Sequence, residues 1–557
     1  MKELLRRLMI RPGLTLELVL ASLFANVLAI APSLFVIQVL NRYVANGINS
    51  TLMTLTIGVA IAIALEFAFR QVRNRLAKGI SAEQDKQIAL ASFGVLTTAK
   101  TGSIERLRPG QQREIMNGLD NIRNAYGAAN ISSILDLPFA ILFLGVLYLL
   151  TPELGIIATM FALVAFLTGL LMTSAIRAPT HKLTNTIQRA NLVTFTAIQE
   201  SDTLRAFNAA RFLTKAWQTQ VNFAQHFYRS IISRQGLLVS ISQSIVGLMA
   251  ATLMAVGAIL VVDGKLDIGA LIGANILAAR ALQPISRFSQ MGEVFLKAKE
   301  SQALLIEFLK LPREADTGSA KQIYSGSIEL RDIGFSYQGS TGPLFESLSV
   351  NIPAGAICVI NGSNGAGKTT LSRLIVGLID PSRGQILADG LDLRQVQQEW
   401  WRKQVMYMPQ EPGFLNATLR ENLTINAPAT ENNKLNKIID ASNLRKFLDE
   451  TPNGFDTLIT DNGRKLAVGI RRRLALARAL TTDGKLLIFD EPTEGMDQEG
   501  STMVSSILSS LHNQGHTIII TSHDTNVINQ ADIFIDLTSK PVPTVRKQNK
   551  PAPQVTK

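Results

Sequence analysis

The sequence predicts an all-α, six-helix transmembrane domain fused to an α/β domain, and three observations predict it. First, 47% of the 557 residues are hydrophobic and only 18% are charged, against about 25% charged in soluble proteins. Second, the apolar excess lies in residues 1–310, in runs long enough to cross about 30 Å of hydrocarbon. Third, residues 355–370 read GAICVINGSNGAGKTT, an apolar strand, a glycine loop and the start of a helix. A chain of this length exceeds one ordinary domain.

The spans follow in order. Lys2, Arg6, Arg7 and Arg11 precede the first apolar run, 16–40. No small-residue cleavage site follows at a suitable distance, so the run reads as a membrane helix with a cytosolic N-terminus rather than a signal peptide. The second span is 52–69, and a long basic stretch from Arg70 to Arg123 follows it. Positive-inside topology places that stretch in the cytosol. The third and fourth spans, 131–150 and 154–172, are separated only by Thr151, Pro152 and Glu153, a link suited to the outer side. Residues 175–234 are again basic, the fifth span is 237–262, and the sixth starts at Ile268. Arg280 and Arg287 interrupt the sixth, so Arg280 either faces a partner or cavity, or reaches the cytosolic headgroups. Glu66 raises the same question, whereas Asp136, near the start of its span, is expected at the interface. The two cytosolic excursions are long enough for helices that extend the spans by tens of ångströms, at about 1.5 Å per residue.

The expected domains are therefore 1–310 for the membrane, 311–326 as a polar linker, 327–537 as the α/β unit and 538–557 as a disordered basic tail. The net charge of +12 follows largely from basic residues flanking the spans. A nucleic-acid partner would want them clustered on a soluble face, and none is expected. The single cysteine, Cys358, reads as a small core residue in the strand before the glycine loop. With no disulfide framework, the α/β domain is expected in the cytosol.

The chemistry lies in that domain. Gly362, Ser363, Asn364, Gly365, Ala366, Gly367, Lys368 and Thr369 fit G-x-x-x-x-G-K-[ST], followed by Thr370. Glycines let backbone N–H groups curl round phosphates, and the helix N-terminus adds its positive dipole end. Lys368 reaches the β- and γ-phosphates of a nucleotide, and the Thr369 hydroxyl ligates Mg²⁺. The run KLLIFD ends in Asp490, followed by Glu491. Asp490 is placed to hold Mg²⁺ through water, and Glu491 to polarise an attacking water. Gln410 follows one apolar segment and His523 another, and Tyr337 stands upstream of the loop with a ring able to stack on adenine. Residues 471–480, RRRLALARAL, read as a basic amphipathic helix. Each of these alone is commonplace, and their order together is not.

Together they resemble the ATP-binding cassette (ABC) exporters over nearly the whole chain, an architecture in which the α/β part is a P-loop nucleotide-binding domain. The resemblance implies ATP and Mg²⁺ as cofactors. It makes Tyr337 the adenine-stacking aromatic, Gln410 the switch glutamine at Mg²⁺, Asp490 the Mg²⁺-site acid, Glu491 the catalytic base and His523 the switch histidine at the γ-phosphate. Residues 494–497 become the loop that crosses the dimer, and 108–120 and 200–211 the cytosolic coupling segments. Leu135-Asp136-Leu137-Pro138-Phe139 and the segment from Gly269 to Leu282 are similar to type I secretion transporters, which export unfolded polypeptides from Gram-negative bacteria. That likeness implies an inner-membrane protein with a secreted polypeptide as cargo and a membrane fusion protein and outer-membrane channel as partners. The sequence starts close to the first span, so no N-terminal peptidase-like domain and no cleaving role are expected. A lipid or drug exporter is the alternative within transport, and an ATP-gated regulator that hydrolyses poorly is the alternative outside it.

One family motif departs. The signature L-S-G-G-Q is here Leu466-Ala467-Val468-Gly469-Ile470, and Asp461 stands where a glutamate is usual. In the family this loop grips the γ-phosphate of ATP held by the other subunit. Ala467 has no hydroxyl to donate, and Val468 puts a branched side chain where backbone must approach phosphate. Two-fold symmetry would place this defect in both sites of a homodimer. The intact Lys368, Gln410, Glu491 and His523 therefore suggest a heterodimer with a second half-transporter, weighed against a slow homodimer.

Overall fold

The computed structural model describes residues 2–547 except 45, 46, 48, 108, 316, 317, 320–322, 338, 341, 524–527 and 529. The chain divides into two units, Met1–Thr98 with Arg106–Leu311, and Ala99–Glu105 with Pro312–Lys557.

In the first unit six helices among the described residues are long and apolar enough to cross a membrane: Pro12–Val44, Asn49–Thr98, Ala128–Leu150, Pro152–Gln199, Ala210–Val262 and Ile268–Leu309. Three of them are 48 to 53 residues long, or about 70–80 Å at 1.5 Å per residue, so the spans continue well past the hydrocarbon. Arg280 and Arg287 do not break the sixth, whose first helix runs Ile268–Gln290. Small residues set the packing. Ala158, Ala162 and Ala165 of the fourth span recur at helical spacing and meet Ile245, Met249 and Leu253 of the fifth. Without a hydrophobic drive between helices in lipid, such small-residue faces allow the close approach that dispersion requires.

The glycines of the sixth span serve the same purpose. A Cβ added to Gly273 would stand 2.5 Å from Ile37 Cδ1 of the first span. Two carboxylates of the spans, Glu66 and Asp136, are paired with arginines. Asp136, expected near the membrane interface, is buried among the helices: its Oδ1 accepts from Arg73 at 2.6 Å and from Asn26 at 2.8 Å. Such pairing is what a carboxylate buried among membrane helices requires. The helix Pro109–Ala125 lies in this unit, where Asn121 donates to Ser301 at 3.0 Å. The expected coupling segment 108–120 thus belongs largely to the membrane unit, with Arg108 outside the described residues.

The second unit holds two sheets. Strands β1 (Ile328–Phe335), β2 (Phe345–Ile352), β4 (Arg383–Ala388) and β5 (Leu391–Asp392) form an antiparallel sheet in the order β2-β1-β4-β5. Strands β3 (Ile357–Asn361), β6 (Val405–Met408), β7 (Leu486–Asp490), β8 (Thr517–Thr521), β9 (Ile533–Asp536) and β10 (Thr544–Lys547) form the other, ordered β10-β9-β3-β8-β7-β6. From β9 to β6 the pairs are parallel. All five residues of β7 and of β8 are buried, which is why they are continuous apolar runs rather than alternating ones. A helical layer, including Leu419–Thr424, Asn432–Ala441 and Val468–Thr481, closes over a separate core around Leu423, Leu435 and Leu474.

This unit is wider at both ends than 327–537. Tyr324 is 4% exposed and belongs to the main core, and Glu314 holds Arg402 through two bonds of 2.5 and 2.8 Å. Much of the expected linker 311–326 therefore packs with the domain. The expected disordered tail also differs: β10 pairs antiparallel with β9, Thr544 opposite Asp536, and residues 548–557 lie outside the described residues. Few apolar residues mark this strand because edge-strand stability comes from ladder hydrogen bonds rather than burial. The short segment Ala99–Glu105 belongs here too, through Lys100–Asp380 and Glu105–Arg373 ion pairs, both 2.5 Å.

Gly273→Leu is expected to lower stability by about 1–3 kcal/mol through overpacking against Ile37, measured as a lower thermal unfolding midpoint in detergent. Gly247→Ala, where a Cβ meets nothing within 4 Å, should not lower that midpoint, since alanine favours a helix interior over glycine.

Candidate active site

Four neighbouring parallel strands, β3, β8, β7 and β6, deliver their C-terminal ends to one edge of the sheet. That edge is where open α/β sheets bind ligands. The glycine loop follows β3, His523 follows β8, Asp490 and Glu491 close β7, and Gln410 follows β6. The loop turns on glycines in left-handed backbone, Gly365 at φ 79° and Gly367 at φ 109°, and Gly367 opens the helix Lys368–Val376. A side chain at Gly367 would strike Leu344.

Lys368 is the hub. Its side chain is buried, and its Nζ donates to the Gly362 carbonyl at 2.8 Å, meets His523 Nε2 at 2.7 Å and pairs with Glu491 Oε1 at 3.0 Å. A buried ammonium requires such partners, and all three lie where phosphate oxygens would compete for it. Gln410 joins the two halves of the site. Its Oε1 accepts from Thr369 Oγ1 at 3.2 Å, and its Nε2 donates to Glu491 Oε2 at 3.1 Å and Glu494 Oε2 at 3.2 Å.

Asp490 is fully buried, and burial pushes its carboxyl above the usual carboxylate range. Its Oδ1 accepts from Thr521 Oγ1 at 2.6 Å, whereas Oδ2 is buried with no hydrogen bond. An orphaned, buried carboxylate oxygen beside Thr369 and Gln410 is a donor set that fits a divalent, oxygen-seeking cation such as Mg²⁺. Glu491 adopts φ 48°, a conformation that costs a non-glycine residue roughly 1–2 kcal/mol. The surroundings hold it there. Its N–H donates to Thr521 Oγ1 at 2.8 Å, and its carbonyl accepts from Arg472 at 2.9 Å. Tyr337 is half-exposed beside the loop, its hydroxyl 2.8 Å from Thr370 Oγ1 and its ring edge-on to Phe335.

Two residues of this site carry no obvious motif. Thr521 serves both acids and reads in sequence only as the end of a strand. Arg472, inside the basic helix, also pairs with Glu494 at 3.1 Å. These contacts to Gln410 and Arg472 hold the Glu494 carboxyl below its usual range. The signature helix runs Val468–Thr481; Ala467 precedes it without a side-chain cap, and Val468 is 50% exposed at its tip.

Thr521→Val would leave the buried Asp490 Oδ1 unpaired, while the Glu491 N–H keeps the Thr521 backbone carbonyl at 3.2 Å. Such a group costs about 1–3 kcal/mol, so the thermal midpoint should fall, while the same change at the exposed Thr502 should not move it.

Two family models match the chain, the ABC transporter transmembrane region over residues 15–285 and the ABC transporter over residues 345–494. Similar curated proteins include the leukotoxin export ATP-binding protein LtxB of Aggregatibacter actinomycetemcomitans, 28% identical over 93% of this chain and 74% of that protein. The exotoxin translocation ATP-binding protein PaxB of Pasteurella aerogenes is 29% identical over 93% and 73%. The leukotoxin translocation ATP-binding protein LktB of Mannheimia haemolytica is 28% identical over the same shares. Among solved structures, a bacterial Atm1-family ABC exporter with ATP bound shares the fold at a TM-score of 0.80 and 21% identity, covering 95% of this chain and 93% of that one. With six membrane helices, a phosphate loop facing two acids, and both family models in their order along the chain, this protein belongs to the ABC transporters, with the exporter architecture of one membrane domain fused to one nucleotide-binding domain.

Proposed function

We propose that this chain is the permease and ATPase of a type I secretion system in the inner membrane, exporting an unfolded polypeptide through a membrane fusion protein and an outer-membrane channel. The observation that carries this reading is similarity to toxin export and translocation proteins across 93% of the chain, membrane domain included. ATP would lay its phosphates in the loop from Gly362 to Thr370, with Tyr337 against the adenine. The phosphate oxygens compete for Lys368 and so release Glu491 and His523 from it. Glu491 is then free to orient water, and His523 to contact the γ-phosphate. Mg²⁺, held by Thr369, Gln410 and Asp490, would supply neutralisation of phosphate charge. Gln410 bridges Thr369 and Glu491, which ties occupancy of the site to the position of its base. ATP favours the closed dimer by its greater affinity for that state.

A heterodimer is the form that this reading favours, on a specific observation. Ala467 offers no hydroxyl and Val468 stands exposed at the tip of the signature helix, yet Lys368, Glu491, His523 and Gln410 are assembled. A partner with a full L-S-G-G-Q would complete the site built on this chain, and the site capped by Ala467–Ile470 would turn over slowly.

The test is Mg²⁺-ATP hydrolysis by the purified chain alone in lipid nanodiscs, with Glu491→Gln as blank. The chain alone should stay near the blank, and Ala467→Ser/Val468→Gly should raise turnover about 10- to 150-fold, the worth of one restored hydrogen bond to a charged group. Robust hydrolysis by the unaltered chain, with no gain in the double variant, would remove the heterodimer. ATP binding without turnover in either form would favour a regulatory half-transporter.

A further inference from the structure

The second, fifth and sixth spans line an open cavity of about 720 Å³ whose polar residues are Glu66, Arg70, Arg280, Gln283, Ser286 and Arg287. Three guanidiniums here face one carboxylate. Glu66 Oε1 serves two of them, Arg70 at 2.6 Å and Arg280 at 3.6 Å. Arg287 is exposed and makes no ion pair or hydrogen bond among the described residues. The neighbouring Arg73 is committed to Asp136. Two further polar atoms of the lining, Arg70 Nε and Ser286 Oγ, are buried without a hydrogen bond.

Cations along membrane spans persist where they are paired or face an aqueous cavity. Here one carboxylate leaves two positive charges uncompensated, and the orphaned donors point to an acceptor that the protein does not itself provide. We propose that this cavity binds carboxylates, and that its occupant is the acidic side chains of the transported polypeptide. The inference rests on the polypeptide-exporter reading above. Guanidiniums match carboxylates in bidentate geometry. The volume exceeds that of an inorganic anion and lies in the range of sites that hold an organic ligand, so it admits a side chain together with the chain that bears it. Several cationic groups sharing one acceptor give weak, exchangeable contacts, which suits a segment that must move on.

The experiment compares two fluorescent peptides of equal length, one alternating Glu and Gly and the other Gln and Gly, binding to the full chain in phosphatidylcholine nanodiscs. The Glu peptide should bind at least about tenfold tighter, the scale of one charge-assisted hydrogen bond. Arg280→Gln/Arg287→Gln should abolish the preference, and Arg280→Lys/Arg287→Lys should restore part of it. Because Arg280 also supports Glu66, Arg287→Gln alone is the second variant. Its side chain makes no ion pair or hydrogen bond among the described residues, so a reduced preference there reports the site rather than the fold. Equal binding of the two peptides, or a preference that survives both Gln variants, overturns the proposal while leaving the polypeptide-exporter reading standing. Binding of neither peptide counts against both. Arginine-dependent retention of added phosphatidylglycerol, with no peptide preference, would assign the site to lipid instead and also overturn it.

Discussion

The buried ammonium of Lys368 is the contact on which the nucleotide domain depends. It lies beneath a glycine loop that only left-handed backbone can form, and its three partners come from the loop itself, from β7 and from the segment after β8. A cation in that position ties strands that are far apart in sequence to one charge. Thr521 performs the complementary service for the acids, its hydroxyl donating a hydrogen bond to Asp490 and accepting one from the backbone N–H of the strained Glu491. The site is therefore a closed exchange of hydrogen bonds, in which an anion entering at the loop alters the partners of every member.

The membrane domain solves the opposite problem. Its interior cannot hydrate a charge, so Asp136 is held between Arg73 and Asn26, and Glu66 between Arg70 and Arg280. The first group is balanced and reads as architecture. The second carries surplus positive charge and opens on a cavity, and this difference in bookkeeping separates a structural cluster from a candidate path for cargo.

Similarity across the whole chain and the altered signature loop bear on different levels of function. The former, because it extends through the spans, underlies the proposed class of cargo. The latter speaks to how the ATPase is shared between subunits, since Ala467 and Val468 face a neighbour's nucleotide in this family. The chain's own nucleotide residues are unaffected by that change.

Much was legible from sequence. Span number follows from apolar length against bilayer thickness, and the phosphate loop from glycine spacing, because both are local consequences of composition. The placement of Asp490 and Glu491 at the edge of the sheet was also readable, as a buried strand ending in acids. Other features were decided only in three dimensions. The burial of Asp136 depends on its pairing with Arg73, 63 residues away. Thr521 and Arg472 gain meaning only when parallel pairing sets β8 beside β7 and the basic helix beside Glu491. The domain limits moved outward because Tyr324 and β10 are stabilised by neighbours distant in the chain. Local periodicity and spacing determine which elements exist; which charge meets which, and which is left without a partner, is set by packing that no single stretch encodes.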